Sequence, residues 1–127
     1  MKTILVDAIN ALVIEGKGIF KEMYDLLETF PNRKIILTGA KYEKFRELGL
    51  SNMPYALFTL EHNPEKTDPA YYKNMLEHFG LSKDDVVYFE NNENAVKSAR
   101  SVGINTYRYD PEKKDLEALR NFLLENL

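Results

Sequence analysis

Four groups of side chains in this sequence have types and positions suited to chemistry. Asp7 closes the apolar run Ile4-Leu5-Val6, and Thr38-Gly39 follows Ile35-Ile36-Leu37. Lys66 stands just ahead of Asp68-Pro69, and Glu90-Asn91-Asn92 follows Val86-Val87-Tyr88-Phe89. A carboxylate can attack an electrophile or ligate a cation, a lysine can neutralise an anion, and a hydroxyl or glycine backbone can orient one. Most of these residues also have a plainer reading. Thr38 could simply cap the next helix, Asn91 and Asn92 suit a loop and a cap, and Lys66 alone would be an ordinary exposed lysine. Asp7 is harder to explain that way, because it ends an apolar strand with no adjacent arginine or lysine in sequence to pair with it.

The elements that must hold these residues follow from two alternating periods. Short apolar runs at Ile4-Leu5-Val6, Lys34 to Leu37, Tyr55 to Phe58, Val86 to Phe89 and Ile104 to Tyr109 read as strands buried on both faces. Between them lie helical spacings. Ile19, Phe20, Met23, Leu26, Leu27 and Phe30 form one, stopped by Pro31. Tyr42 to Leu48, closed by Gly49, forms a second. Asp68 as N-cap and Pro69 as first helical residue open a third, running through Tyr72, Met75, Leu76 and Phe79 to Gly80. Val96, Ala99 and Val102 mark a fourth ending at Gly103, and Leu116, Leu119, Phe122 and Leu123 a fifth. Val13 to Phe20 reads as a short hairpin-like stretch. Strands alternating with amphipathic helices predict an α/β fold with a parallel five-stranded sheet and helices on both faces. In such a sheet ligands bind beyond the carboxyl ends of the strands, where strand order reverses. The four groups stand at or near that edge.

Bulk properties restrict the function classes. With 127 residues, 44% hydrophobic and 29% charged, the chain reads as one ordered domain over residues 1–127. A formal charge of −3 gives no broad basic field, which argues against nucleic-acid and membrane-surface partners. There is no cysteine, so no disulfide or thiolate chemistry arises. The apolar run before Asp7 is too short for a signal-peptide core or a membrane span, and a cytoplasmic location is expected. The eight tyrosines, Tyr71-Tyr72 and Tyr107/Tyr109 among them, suit a contact surface or a core equally well.

Taken in order, the groups resemble the four motifs of the haloacid dehalogenase-like (HAD-like) hydrolases, closest to the capless or small-cap nucleotidase/phosphatase-like branch. Ile4 to Leu12 is similar to the first motif, an apolar run followed by Asp-x-Asp-x-Thr-Leu. Leu37-Thr38-Gly39 is similar to the second, Lys66-Thr67-Asp68-Pro69 to the third, and Val87 to Val96 to the fourth. The resemblance covers residues 2 to about 109. It implies a three-layer Rossmann-like fold without a substantial cap, with the strands bearing Asp7 and Glu90 side by side. It also implies Asp7, Thr38 and Lys66 as catalytic positions, Thr38, Gly39 and Lys66 as substrate-binding positions, and Asp7, Glu90 and Asn91 as the Mg2+ site.

The departures from the motifs bear on turnover. The resemblance makes Asp7 the nucleophile that becomes an aspartyl-phosphate, but the second aspartate, which moves the proton, is replaced by Ile9. The following threonine is Ala11, and the metal-ligating acid of the fourth motif is Asn91. A positioned general acid–base is worth ~10²–10⁴ in rate. Magnesium prefers charged oxygen ligands, so a neutral amide predicts binding that is weak or absent. The expectation is a catalytically impaired HAD-like protein retained for binding a small phosphorylated ligand or a protein partner. The alternative is an active magnesium-dependent phosphatase. A dehalogenase proper lacks support, since no helical cap and no arginine for a substrate carboxylate are visible. A phosphorylation-receiver domain would need its aspartate after the third strand, where this chain has Thr59.

Overall fold

Every residue from Thr3 to Asp7 is buried, and that burial decides the architecture. Ile4, Leu5 and Val6 have no exposed surface, which contributes roughly 1.5–3 kcal/mol per side chain. A strand apolar on both faces must be covered on both and flanked on both edges. The computed structural model describes residues 1–48 and 55–127 and meets both demands. In chain order the elements are β1 (Thr3–Asp7), β2 (Val13–Ile14), β3 (Gly18–Ile19), α1 (Lys21–Glu28), β4 (Lys34–Leu37) and α2 (Tyr42–Leu48). They continue with β5 (Ala56–Phe58), α3 (Pro69–Phe79), a 3-10 turn (Lys83–Asp85), β6 (Val86–Glu90), α4 (Glu93–Ser101), β7 (Asn105–Arg108) and α5 (Leu116–Asn126).

The main sheet is parallel, in the order β5-β4-β1-β6-β7. Asp7 lies level with Leu37 of β4, and Val6 with Phe89 of β6. The polar residues that follow β1, β4 and β6 therefore emerge together. Alternation along the strands feeds two cores. Ile4, Val6, Ile36, Val87 and Phe89 pack with Met23 and Leu27 of α1 and with Leu119 and Leu123 of α5. Leu5, Ile35, Leu37 and Tyr88 pack on the other face with Tyr71, Tyr72 and Met75 of α3 and Ala99 of α4. This is the three-layer, five-stranded arrangement expected from the sequence.

The helix caps follow the sequence closely. Asp68 accepts from the Ala70 N–H as N-cap of α3, and Gly80 closes the helix at φ 64. Two expectations need correction. Ile19 does not begin the first helix; it pairs with Val13 in the β2–β3 hairpin, and α1 starts at Lys21. That helix ends at Glu28 rather than running to Phe30, because a residue directly before proline is driven out of the helical region. Tyr71, Tyr72, Tyr88 and Tyr109 are buried in the core, which removes them from any contact surface. The expected cap Gly49 lies outside the described residues.

Candidate functional site

At the carboxyl edge of the sheet an open cleft of about 280 Å³ is lined by Asp7, Ile9, Thr38, Gly39, Lys66 and Glu90, with Asn91 beside them. The sequence candidates thus share one site, although their contacts differ from what the motifs suggest.

Asp7 and Glu90 end the adjacent central strands and are both buried. Burying carboxylates is costly unless each finds compensating donors. Here the chief compensation is Lys66, from the turn just before α3. Its Nζ lies 2.8 Å from Asp7 Oδ1 and 2.5 Å from Glu90 Oε1, and it donates to the Leu37 carbonyl at 3.2 Å. The partner that Asp7 lacks in local sequence comes from 59 residues away. Glu90 Oε1 also accepts from the Tyr88 hydroxyl at 2.5 Å, and Oε2 from the Asn92 N–H at 3.0 Å.

Asn91 completes the cluster. Its backbone N–H donates to Asp7 Oδ2 at 3.0 Å. Its side-chain Nδ2 donates to the same Oδ2 and to the Ile9 carbonyl at 2.9 Å, and stands 3.4 Å from Glu90 Oε2. Asn92 is the N-cap of α4, accepting from the Ala95 N–H at 3.0 Å, so its plainer reading was the right one.

The electrostatics follow from two carboxylates sharing one ammonium. Burial, then the Glu90 carboxylate, push Asp7 up to about 7 against the pull of Lys66. Burial also works against the Glu90 anion, but Lys66 and the Asn92 N–H outweigh it and hold that carboxyl at about 2. Lys66 pays for its own burial, yet the two carboxylates keep it firmly protonated.

The other wall is built differently. Thr38 is buried, but its hydroxyl accepts from the Ala40 N–H at 3.1 Å rather than meeting Asp7. Its carbonyl accepts from the Tyr71 hydroxyl at 2.8 Å, which anchors the end of β4 to α3. Gly39 leaves room at the rim, since a Cβ there would stand 3.3 Å from Glu65 Oε2. Beside it, His62 Nδ1 pairs with Glu65 Oε1 at 3.0 Å. Glu61 and His62 both hold positive φ, 51° and 68°, a conformation that costs non-glycine residues about 1–2 kcal/mol each. The sequence reading did not single out this His–Glu pair. Its one available signal was position, two acid–base side chains in the five residues that end at Lys66.

The fold and the chemistry of this edge both raise the question of magnesium. That ion requires nearly octahedral oxygen ligands at about 2.0–2.1 Å. The oxygens that converge here, Asp7 Oδ2, Ile9 O and Glu90 Oε2, all face the amide nitrogen of Asn91. The remaining oxygens of both carboxylates face Lys66. Such a donor set does not fit a resident divalent cation. Among the described residues no three His, Cys, Asp or Glu side chains group as a metal site.

No protein-family model and no curated protein matches the sequence. Solved structures do match. One is a HAD family enzyme from Bacteroides thetaiotaomicron in its magnesium complex, at 14% identity and TM-score 0.68, covering 94% of this chain and 98% of that one. A mutant of the same enzyme, bound to magnesium and inorganic phosphate, matches at 17% identity and TM-score 0.62, over 74% of this chain and 55% of that one. A haloacid dehalogenase-like protein from Agrobacterium tumefaciens matches at 18% identity and TM-score 0.58, over 70% and 44%. The chain spans about half the length of these last two. The fold is that of the HAD-like proteins, as the four motifs implied. No helix among the described residues is long and apolar enough to cross a membrane.

Proposed function

We propose that this chain is a HAD-fold protein without phosphatase turnover, whose cleft serves to bind a small phosphorylated ligand or a protein partner. The observation that carries this reading is Ile9, an aliphatic side chain lining the cleft where the motif resemblance places the proton-transferring aspartate. Asp7 can neither pass a proton to Ile9 nor receive one from it. Asp7 is itself engaged on both oxygens, by Lys66 and by Asn91, so attack on phosphorus would first require breaking those contacts. Binding an anion would draw on Lys66, Thr38 and Gly39, with Lys66 drawn partly off its carboxylates. That competition limits affinity to the weak range. Residues 1–127 acting as one domain without a substantial cap would present this cleft openly, which suits a bulky partner as well as a small ligand. A cytoplasmic location belongs to the same reading, as do partners other than nucleic acid or membrane.

The test is phosphate release from a generic aryl phosphate, with and without magnesium, for the natural chain and for Asp7→Asn. Equal, background-level rates are expected. Turnover that depends on both Asp7 and magnesium would overturn the reading. It would favour the alternative, hydrolysis of a small phosphoester through an Asp7 aspartyl-phosphate. One observation supports that alternative, the His62–Glu65 pair on the cleft wall, whose Nε2 could carry the proton. Loss of such turnover in His62→Ala would assign that role.

A further inference from the structure

We infer that the Asn91 carboxamide is a built-in replacement for a cation, so that the cluster assembles and stays neutralised without a metal. Three oxygens from separate segments converge on Nδ2: a carboxylate oxygen of β1, the carbonyl of Ile9 beyond it, and a carboxylate oxygen of β6. Oxygens gathered in this way repel one another unless something positive stands between them. A partly positive N–H2 supplies that, with two hydrogens for the nearest acceptors. The opposite orientation of the amide would turn its own oxygen toward the other three, so the acceptors themselves select the nitrogen-inward form. The amide is also tethered, since the Asn91 backbone N–H is fixed on Asp7 Oδ2 and its carbonyl accepts from Arg108 Nε at 3.0 Å.

Lys66 completes the substitution from the other side, facing Asp7 Oδ1 and Glu90 Oε1. One ammonium and one amide together contact all four carboxylate oxygens. A magnesium ion would have to displace Nδ2 or turn the amide over, and in either case the side-chain hydrogen bonds of Asn91 to Asp7 Oδ2 and the Ile9 carbonyl are lost. The inference concerns what holds the cluster together. It goes beyond the proposed lack of turnover, and the two can fail separately because metal binding is read by melting and hydrolysis by phosphate release.

The experiment is thermal melting of the chelator-treated protein across a magnesium titration at constant ionic strength, with calorimetry as a second readout. The natural chain should shift by less than about 1 °C at millimolar magnesium. Asn91→Asp should gain a saturable rise of roughly 5–10 °C, as expected for a ligand well above its dissociation constant acting on a domain of this size. Folding of Asn91→Asp only when magnesium is present would support the inference equally. Asn91→Ala, which removes the amide without adding charge, should melt lower than the natural chain and be partly rescued by magnesium. A saturable magnesium shift in the natural chain would overturn the inference. So would indifference to magnesium in both variants, whether or not Asn91→Asp folds, because the amide would then be filling no cation's place.

Discussion

The two walls of the cleft are made of similar residue types and behave as opposites. On the β1–β6 wall, Asp7, Glu90, Lys66 and the Asn91 amide satisfy one another and are largely withdrawn from water. On the β4 wall, His62 and Glu65 pair at 3.0 Å with about half of each side chain exposed. The same Coulombic attraction acts in both, but the dielectric around it does not. In the first wall each partner is needed to offset the burial of the others. In the second, water offers each side chain an equal alternative. Charge next to the cleft is therefore mutually satisfied and buried on one side and open to water on the other.

The strongest way to break this contrast is Lys66→Met. It leaves two buried carboxylates without their shared cation, and a loss of roughly 3–5 kcal/mol in urea unfolding near neutral pH is expected. A loss below about 1 kcal/mol would mean that water reaches the cluster after all.

A pH series gives the next largest effect. Asp7 is raised from 3.8 to about 7, so the folded chain keeps a proton there that the unfolded chain has released. That contribution is complete below the unfolded value and is lost as pH rises through the folded one. Glu90 runs the other way: lowered from 4.5 to about 2, it contributes above the unfolded value and loses that contribution as pH falls toward the folded one. Asp7→Asn removes only the first dependence. Relative to the natural chain, this variant should gain about 1–4 kcal/mol between roughly pH 4 and pH 8. A pH-independent difference would show that Asp7 is ionised throughout, as it would be on an exposed wall.

Two buried tyrosines behind the site sharpen the comparison further. The Tyr88 hydroxyl donates to a charged acceptor, Glu90, so Tyr88→Phe should cost about 1.5–3 kcal/mol. The Tyr72 hydroxyl has no partner among the described residues, so Tyr72→Phe should be neutral or slightly stabilising. Equal costs for the two in denaturant melts would mean that Glu90 does not depend on its donors. The smallest effect belongs to the open wall. His62→Ala should change stability by less than about 1 kcal/mol, the range of exposed ion pairs. A larger loss would show that this wall too is a structural network.

Where the sequence was legible, a local rule sufficed. Continuous apolar runs marked β1, β4 and β6, and Asp68-Pro69 with Gly80 marked both ends of α3. The hairpin at Val13 to Phe20 was visible only in outline, and the start of α1 was obscured because Ile19 fits a helical period while its backbone pairs with Val13. At the site, the sequence supplied which residues meet but not how they meet. Lys66 binds Glu90 as well as Asp7, and Thr38 holds the backbone of its own turn. The role of Asn91 depends on acceptors from three segments, and an asparagine after a strand does not reveal where its nitrogen points. The His62–Glu65 pair escaped because its partners lie three apart in an irregular turn, where neither helical nor strand spacing applies.

The position of β1 between β4 and β6 also sets an order of events during synthesis. β1 is made early and can pair with β4 after about thirty further residues, but its other edge stays bare until β6 exists. The contact between Asp7 and Asn91 spans 84 residues. At ordinary elongation rates that interval is on the order of ten seconds. Throughout it, an apolar strand has an open edge, the state most exposed to pairing with a neighbouring nascent chain. The central strand of the finished protein is thus the one with the longest period of risk while the chain is being made. A folding helper acting on this protein would have most to do between the completion of β4 and the emergence of β6.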